Sequence, residues 1–211
     1  KTPTPAAKSP RRILLLVMAG VAAVVIFALR SHTFDEPLEA DEALYALIAD
    51  DWAEGGKPYV TLWDNKPIGT FIIYRAAIAI ADHDERGPKL MALGAVIVST
   101  FLLLLLLRTC SLRTIACCLV VLWPALSTDV HTYANGANME IFICVFILAA
   151  LLCCRRLTTT GGHWEFYLAI FLLTLGALVK HMILPFFLIP FVALPLSEWR
   201  RWEMILVPGR W

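Results

Sequence analysis

Long apolar runs separated by short polar stretches dominate this 211-residue chain. The first run covers residues 13–29. Five more follow, at about residues 90–107, 114–127, 139–154, 165–179 and 182–196. A helix of about 20 apolar residues crosses a hydrocarbon core of about 30 Å, so each run predicts a transmembrane helix. Several runs are shorter than this, so we expect their helices to tilt or to extend beyond the run.

A further apolar segment, residues 67–81, is ambiguous. As a helix it is only about 22 Å long, and Arg75 lies near its midpoint, where an arginine facing lipid is costly. We interpret it as a helix that lies along the outer membrane surface or re-enters it. An ordinary short span is the alternative.

Arginine pairs determine the expected orientation. They flank alternate runs, and with the N-terminus inside, six crossings place all of them on the cytoplasmic side, as the positive-inside rule requires. The acidic residues between positions 35 and 64 then fall together outside. The pairs are Arg11 and Arg12, Arg108 and Arg113, Arg155 and Arg156, and Arg200 and Arg201.

The predicted fold is an all-α integral membrane protein with about six transmembrane helices. Residues 1–12 form a cytoplasmic basic N-terminus, and residues 13–29 form the first transmembrane helix, a signal anchor. The remaining segments are an external loop with two juxtamembrane helices (30–87), five further transmembrane helices (88–197) and an interfacial C-terminal tail (198–211).

Composition agrees with this organisation. Hydrophobic residues make up 59% of the chain and charged residues 17%, whereas a soluble domain is about 45–50% apolar and about 25% charged. The six cysteines lie outside the acidic loop and mostly in apolar runs, which argues against a secreted disulfide framework. Basic residues are dispersed at the cytoplasmic membrane face, so no nucleic-acid partner is expected.

The external loop carries the most informative residues. Residues 37–54 have helical periodicity, with Pro37 in the first turn and Gly55-Gly56 as the stop. Asp41 is therefore expected within an apolar stripe, where an acid needs a function or a partner, and Arg30 or Lys57 could pair with it. The stripe comprises Leu38, Asp41, Tyr45, Ile48 and Trp52.

The second half of the loop predicts an anion site. Residues 59–63 are expected to be extended, and Asp64 or Asn65 to cap a helix with Pro67 at its first position. Lys66 would then lie at a helix N-terminus, where backbone N–H groups and an ammonium suit a phosphate. A lysine that snorkels to the lipid headgroups is the alternative.

These motifs resemble a known family. Asp-Glu-Ala-Leu-Tyr at residues 41–45, followed by Trp-Asp-Asn-Lys-Pro-Ile at 63–68, is similar to the first external loop of GT-C glycosyltransferases. That group includes bacterial aminoarabinose transferase and the protein O-mannosyltransferases. Looser matches are Arg86 or Lys89 before the next span, residues 136–140 and residues 176–180. The resemblance covers residues 13–196, the N-terminal portion of enzymes that usually have at least twice this length.

The resemblance implies a transferase of the bacterial-type cytoplasmic (inner) membrane. Such an enzyme takes a sugar from a polyprenyl-phosphate carrier on the non-cytoplasmic face. By position, the catalytic residues would be Asp41, the base that deprotonates the acceptor, and Glu42, which shapes the site. The substrate-binding residues would be Tyr45, Lys66, Lys180 and Arg86, with His181 a weaker candidate.

Two positions depart from the family pattern. Relatives often carry an acid or a histidine, sometimes linked to a metal, where this chain has Asn65. No metal ligand is therefore assigned, and a divalent metal cofactor is left open. Leu44 replaces an arginine of the aminoarabinose transferases, so the sugar is not specified.

Two other functions compete with the transferase. The first is a non-catalytic integral subunit of a larger membrane complex, built on a truncated glycosyltransferase-like scaffold. Its partners would be other membrane subunits, whereas the enzyme's partners are membrane lipids and the polyprenyl-phosphate-linked sugar. The second is a transporter, which is disfavoured because matching broken helices in two halves of the chain are lacking.

Overall fold

The computed structural model describes residues 10–82, 84–129, 136–160 and 163–196, and within these ranges the fold is all-helical, as predicted. The expectations for residues 1–9 and for the tail at 198–211 lie outside the described residues. The helices are α1 (Pro10–Ser31), α2 (Ala40–Ala53), α3 (Ile68–Ile80), α4 (Gly87–Leu107), α5 (Leu112–Ser127), α6 (Met139–Thr160), α7 (His163–Val179) and α8 (His181–Leu196).

In the part of the chain that the structure describes, three helices are long and apolar enough to cross a membrane. They are α1 with its 3-10 extension His32–Asp35, α4 and α6. The other apolar helices, α3, α5, α7 and α8, are shorter. A π-helical segment, Cys117–Leu122, interrupts α5, and α8 begins as the 3-10 helix His181–Phe187. These two irregular segments fall within predicted spans.

One end of the bundle collects arginines. Arg11, at the start of α1, donates to the carbonyl oxygens of Arg108 (3.2 Å) and Cys110 (2.7 Å), just beyond α4. Arg155, near the end of α6, donates to the carbonyl oxygen of Leu105 at 3.1 Å. The start of α1 and the ends of α4 and α6 therefore lie together, and we call this the basic end.

A second set of helix termini lies together at the opposite end of the bundle. Arg30, at the end of α1, donates to the carbonyl oxygens of Ser127 (2.9 Å) and Gly136 (2.5 Å), which close α5 and precede α6. The Thr70 hydroxyl of α3 donates to the carbonyl oxygen of Val179, the last residue of α7, at 2.8 Å. Helices α4 to α7 thus run in alternating directions, as the predicted topology requires.

The two loop helices are part of the main core rather than an appendage. Tyr45 and Ile48 of α2 and Phe71 and Tyr74 of α3 are fully buried. They belong to one hydrophobic cluster with residues of α1, α4, α6 and α7. The segment of residues 30–87 is therefore packed into the core of the bundle and can hold side chains in fixed positions.

The expected start of the first loop helix was wrong, and its expected buried face was right at Tyr45 and Ile48 but wrong at Asp41. Helix α2 begins at Ala40, because Glu39 and Glu42 form a reciprocal capping box at its N-terminus. The buried face runs through Glu42, Tyr45, Ile48 and Ala49, so it shares Tyr45 and Ile48 with the predicted stripe and has Glu42 in place of Asp41. Asp41 is therefore on the open side, and Glu42 is the buried acid of this helix.

The segment after α2 is a turn and is not extended. The N–H groups of Val60 and Thr61 both donate to the carbonyl oxygen of Lys57 at 3.0 Å. Tyr59 has a φ of 67°, and Pro58 pairs with Leu62 in an isolated bridge. The predicted stop at Gly55-Gly56 is confirmed, with Gly55 at a φ of 103°. A left-handed residue reverses the chain at each of these points.

The helical prediction for residues 67–81 is confirmed, with different capping. Helix α3 begins at Ile68 after Pro67, which is its N-cap, and Asp64 instead accepts a hydrogen bond from the Lys66 N–H at 2.9 Å. The guanidinium carbon of Arg75 lies 4.8 Å from the ring centroid of Trp52 on α2. This cation–π contact gives Arg75 a partner within the protein.

Candidate functional site

Asp41, Tyr45 and Lys66 form the centre of the site. One helical turn places the Tyr45 hydroxyl beneath Asp41, and it donates to Oδ2 of that carboxylate at 3.1 Å. The Lys66 ammonium lies 3.9 Å from the same oxygen and 5.4 Å from the Tyr45 ring centroid. Asp41 therefore pairs with Lys66, and the pairing with Arg30 or Lys57 that was considered from the sequence was wrong.

The two charged groups differ in exposure. The Asp41 side chain is 67% exposed, whereas that of Lys66 is 18% exposed. The Lys66 backbone is fixed on both sides, since its N–H donates to Asp64 and its carbonyl oxygen accepts from the Tyr59 hydroxyl at 2.7 Å. The site thus presents an accessible carboxylate beside a largely covered and positioned ammonium.

A second pair of the same kind involves Lys180 and Glu140. The Lys180 ammonium hydrogen-bonds the Glu140 carboxylate, and the side chains are 16% and 52% exposed. Lys180 directly follows α7, and Glu140 lies in the first turn of α6. Again a covered lysine adjoins an open acid.

The backbone brings the two pairs close together. The Thr70 hydroxyl donates to the carbonyl oxygen of Val179, so the start of α3 contacts the end of α7. Lys66 lies just before this contact on one chain segment, and Lys180 lies just after it on the other. The sequence-predicted lysines therefore meet at the same end of the bundle.

The pKa of Tyr45 is affected by burial and by carboxylates of both acid–lysine pairs. Burial raises the pKa of its phenol above the ordinary value, and the nearby carboxylates of Asp41, Asp64 and Glu140 raise it further. The hydroxyl therefore stays protonated and remains a hydrogen-bond donor to Asp41. It also lies within the electrostatic reach of both acid–lysine pairs.

We expect Gly69→Ala to disrupt this arrangement. A Cβ at Gly69 would lie 2.4 Å from the carbonyl oxygen of Leu178, so α3 and α7 must separate. Overpacking of this kind costs about 1–3 kcal/mol, which thermal unfolding of the detergent-purified chain measures. Gly94→Ala in α4, which meets nothing within 4 Å, is the control and should leave the melting temperature unchanged or slightly higher. Equal melting temperatures for the two variants would contradict the proposed close packing.

Glu42 is 1% exposed, and both its carboxylate oxygens accept backbone hydrogen bonds. Oε1 accepts from the Ala137 N–H, and Oε2 accepts from the Glu39 N–H at 3.3 Å. The Tyr74 hydroxyl donates to the carbonyl oxygen of Ala137 at 3.1 Å. Glu42 therefore holds the turn that leads into α6 and brings Glu140 towards Lys180.

Arg86 belongs to a different group of contacts. Its guanidinium pairs with the Asp35 carboxylate at 2.5 Å, and both side chains are exposed. The neighbouring Lys89 is buried and donates to the carbonyl oxygens of Thr33 (2.6 Å) and Glu36. Arg86 and Lys89 thus join the start of α4 to the end of α1, apart from the Asp41–Lys66 pair.

Sequence reasoning did not assign Glu140 or the buried role of Arg30. Glu140 lies in the motif at residues 136–140, and its position in the first turn of an apolar run was the available signal. Arg30 was considered only as a partner for Asp41, but it is fully buried and hydrogen-bonded to the turn before α6. His181 is exposed beside Lys180.

In the described ranges, no three histidine, cysteine, aspartate or glutamate side chains converge as a metal-binding group. The two open carboxylates, Asp41 and Glu140, each adjoin a lysine, which is an unfavourable setting for a divalent cation. The chemistry of this site is therefore derived from its carboxylates and ammonium groups.

No family model, no curated protein and no solved structure matches this chain. The site is therefore interpreted from its own geometry and chemistry, and the resemblance of its loop motifs to GT-C glycosyltransferases is carried forward as a hypothesis.

Proposed function

We propose that this chain is a membrane glycosyltransferase. It transfers a sugar from a polyprenyl-phosphate carrier to an acceptor on the non-cytoplasmic face of a bacterial-type inner membrane. The observation that carries the proposal is the Asp41–Lys66 pair, an open carboxylate 3.9 Å from a covered ammonium. An inverting transfer needs a proton acceptor and a cation for the departing phosphate, and this pair supplies both.

The surface of the bundle supports a membrane location. Large apolar side chains remain exposed along most of its helices, and a soluble monomer rarely exposes apolar patches of such extent. The arginines at the basic end, opposite the Asp41–Lys66 pair, match a cytoplasmic face. In this proposal the chain crosses the membrane several times with its N-terminus inside, and the site opens on the outer side. Representative exposed side chains are Val24, Phe101, Leu126, Phe171 and Leu188.

The proposed reaction is a single displacement. Asp41 accepts the proton of the acceptor hydroxyl as its oxygen bonds to the anomeric carbon of the sugar. The bond between that carbon and the phosphate oxygen breaks, and its electron pair leaves with the polyprenyl phosphate. Attack from the side opposite to the leaving group inverts the anomeric configuration. The exposure of Asp41 allows an acceptor to reach it directly.

Lys66 and Lys180 are the proposed phosphate ligands. At 3.9 Å the Lys66 ammonium is too far from Asp41 for a hydrogen bond, so it can donate to a phosphate oxygen without first losing one. Lys180 can reach the same anion when Glu140, its exposed partner, turns towards solvent. Two ammonium groups would stabilise the charge that develops on the leaving phosphate.

We expect Lys66→Met and Lys180→Met each to weaken binding of polyprenyl phosphate about 10- to 100-fold. A hydrogen bond to a charged group contributes about 1.5–3 kcal/mol, which corresponds to roughly this change. Equilibrium binding to the full chain in lipid nanodiscs, with labelled polyprenyl phosphate, measures the effect.

Arg86→Met is the matched comparison, because the sequence assigns Arg86 to the site and the structure pairs it with Asp35. It should change binding less than about 3-fold, as expected for an exposed ion pair. Unchanged binding in both lysine variants would contradict the phosphate site. If the wild type also fails to bind and co-purifies in a stable complex, the non-catalytic subunit is the better interpretation.

A further inference from the structure

The turn between α2 and α3 exposes apolar side chains at its tip. Val60 is 77% exposed and Trp63 is 70% exposed, and Tyr59 is partly exposed. Lys57 begins the same turn and is also exposed. A tryptophan, a tyrosine, an aliphatic residue and a lysine in one short turn match the composition of side chains at membrane–water interfaces.

Hydrogen bonds keep this tip from folding back onto the protein. The Thr61 hydroxyl donates to the Asp51 carboxylate of α2 and accepts from the Lys57 N–H at 3.0 Å. The N–H groups of Val60 and Thr61 both donate to the Lys57 carbonyl oxygen. The exposed apolar side chains are thus held outward by a fixed backbone.

The tip is also tied to the predicted phosphate ligand. The Tyr59 ring packs edge-on against Phe71 of α3 with 5.6 Å between centroids, and its hydroxyl donates to the carbonyl oxygen of Lys66. Thr70, in the first turn of the helix that follows Lys66, donates to the carbonyl oxygen of Val179, the last residue of the apolar helix α7. The turn is therefore at the level where the apolar helices of the bundle end.

We infer that residues 57–63 form a lipid anchor, in which Val60 and Trp63 enter the outer headgroup region of the bilayer. The inference rests on the membrane placement proposed above and assigns the turn a partner, the lipid surface itself. Continuity supports lipid as the occupant, because Ile72 on the following helix is exposed as well. Through Tyr59 the anchor sets the height of Lys66 relative to the headgroups, where the phosphate of a lipid carrier lies.

Tryptophan quenching tests the anchor. The full chain is reconstituted in phosphatidylcholine vesicles with lipids brominated near the headgroup, and the fluorescence of Trp63→Phe is subtracted from that of the wild type. This difference is the fluorescence of Trp63. Brominated lipid should quench at least half of its intensity, and iodide in the aqueous phase should quench it little. Trp52→Phe is the control, because Trp52 is covered by Arg75 and its difference signal should respond weakly to both quenchers.

A Trp63 signal that iodide quenches and brominated lipid leaves unchanged would overturn the anchor. The measurement requires no turnover, so it is separable from the proposed transferase. If the chain has no transfer activity but brominated lipid quenches Trp63, the lipid anchor is supported and the transferase is not. If the chain is active but Trp63 is exposed to water, the transferase is supported and the lipid anchor is contradicted. Trp63→Phe is expected to fold normally, since the replaced side chain is largely exposed, and an unchanged melting temperature verifies this.

Discussion

Asp41→Asn should lower kcat for sugar transfer by about 10²- to 10⁴-fold, the usual contribution of a positioned general base. Asparagine has nearly the same shape and keeps an oxygen that can accept the Tyr45 hydrogen bond, but it cannot take the acceptor proton. The KM for the lipid-linked donor should change little, because Lys66 and Lys180 are retained. Steady-state transfer by the purified chain measures both constants.

Glu54→Gln is the matched control for this variant. Glu54 is an exposed acid at the other end of the same helix, and its loss should leave kcat unchanged. Melting temperatures of both variants should equal that of the wild type, since neither removed carboxylate is buried. A kcat for Asp41→Asn close to that of the wild type would show that Asp41 is not the base.

Glu42→Ala should lower the free energy of unfolding by about 3–5 kcal/mol, the cost of removing one partner from a buried charged network. The substitution leaves the Ala137 N–H without its acceptor and removes the negative charge that attracts the buried Arg30 guanidinium. The turn before α6 would then lose its main contact with α2. Unfolding of the chain in mixed detergent micelles, followed by helical circular dichroism, measures the change.

Glu42→Gln removes the negative charge of the side chain but keeps its shape, so the same unfolding experiment distinguishes the two contributions to stability. The amide keeps an oxygen for Ala137 and should lose less stability than alanine. In both variants the rate of sugar transfer should fall only as far as the fraction of folded protein falls. This behaviour distinguishes Glu42, a positioning residue, from the base Asp41. A stable Glu42→Ala protein without transfer activity would instead place Glu42 in the chemistry.

The helices could be predicted because their signals are local. Long apolar runs gave α4 and α7 to within about three residues at each end, whereas α6 begins as predicted and extends beyond its run to Thr160. The arginine pairs also predicted which helix termini lie together, and the contacts of Arg11 and Arg155 agree with this. Such features depend on composition and spacing, which a single sequence contains.

The site could be predicted only in part, since its details depend on tertiary contacts. The family-like spacing predicted Asp41 and Lys66, but Asp41 was expected on the buried face of its helix, where the structure has Glu42. The capping box with Glu39 starts α2 later than Pro37 suggests, and packing against α3 then buries Glu42. The pairing of Lys180 with Glu140 joins residues 40 positions apart, and periodicity gives no signal for such a contact.

The turn at residues 57–63 shows the same limit. A run of Tyr, Val, Thr and Leu has high β-propensity and favours an extended segment. In the structure Thr61 bonds to Asp51 and Lys57, and these contacts fold the run into a turn. Local propensity was overridden because a side-chain hydroxyl found partners on the preceding helix.

Sugar transfer by the chain alone tests the proposed glycosyltransferase function most directly. The purified protein in nanodiscs is given polyprenyl phosphates carrying radiolabelled sugars, with a membrane extract as the source of acceptors, and labelled product and its anomeric configuration are determined. Product of inverted configuration is expected from the wild type, and at least about a hundredfold less product from Asp41→Asn. No transfer by the wild type, or equal transfer by both proteins, would contradict the proposed function.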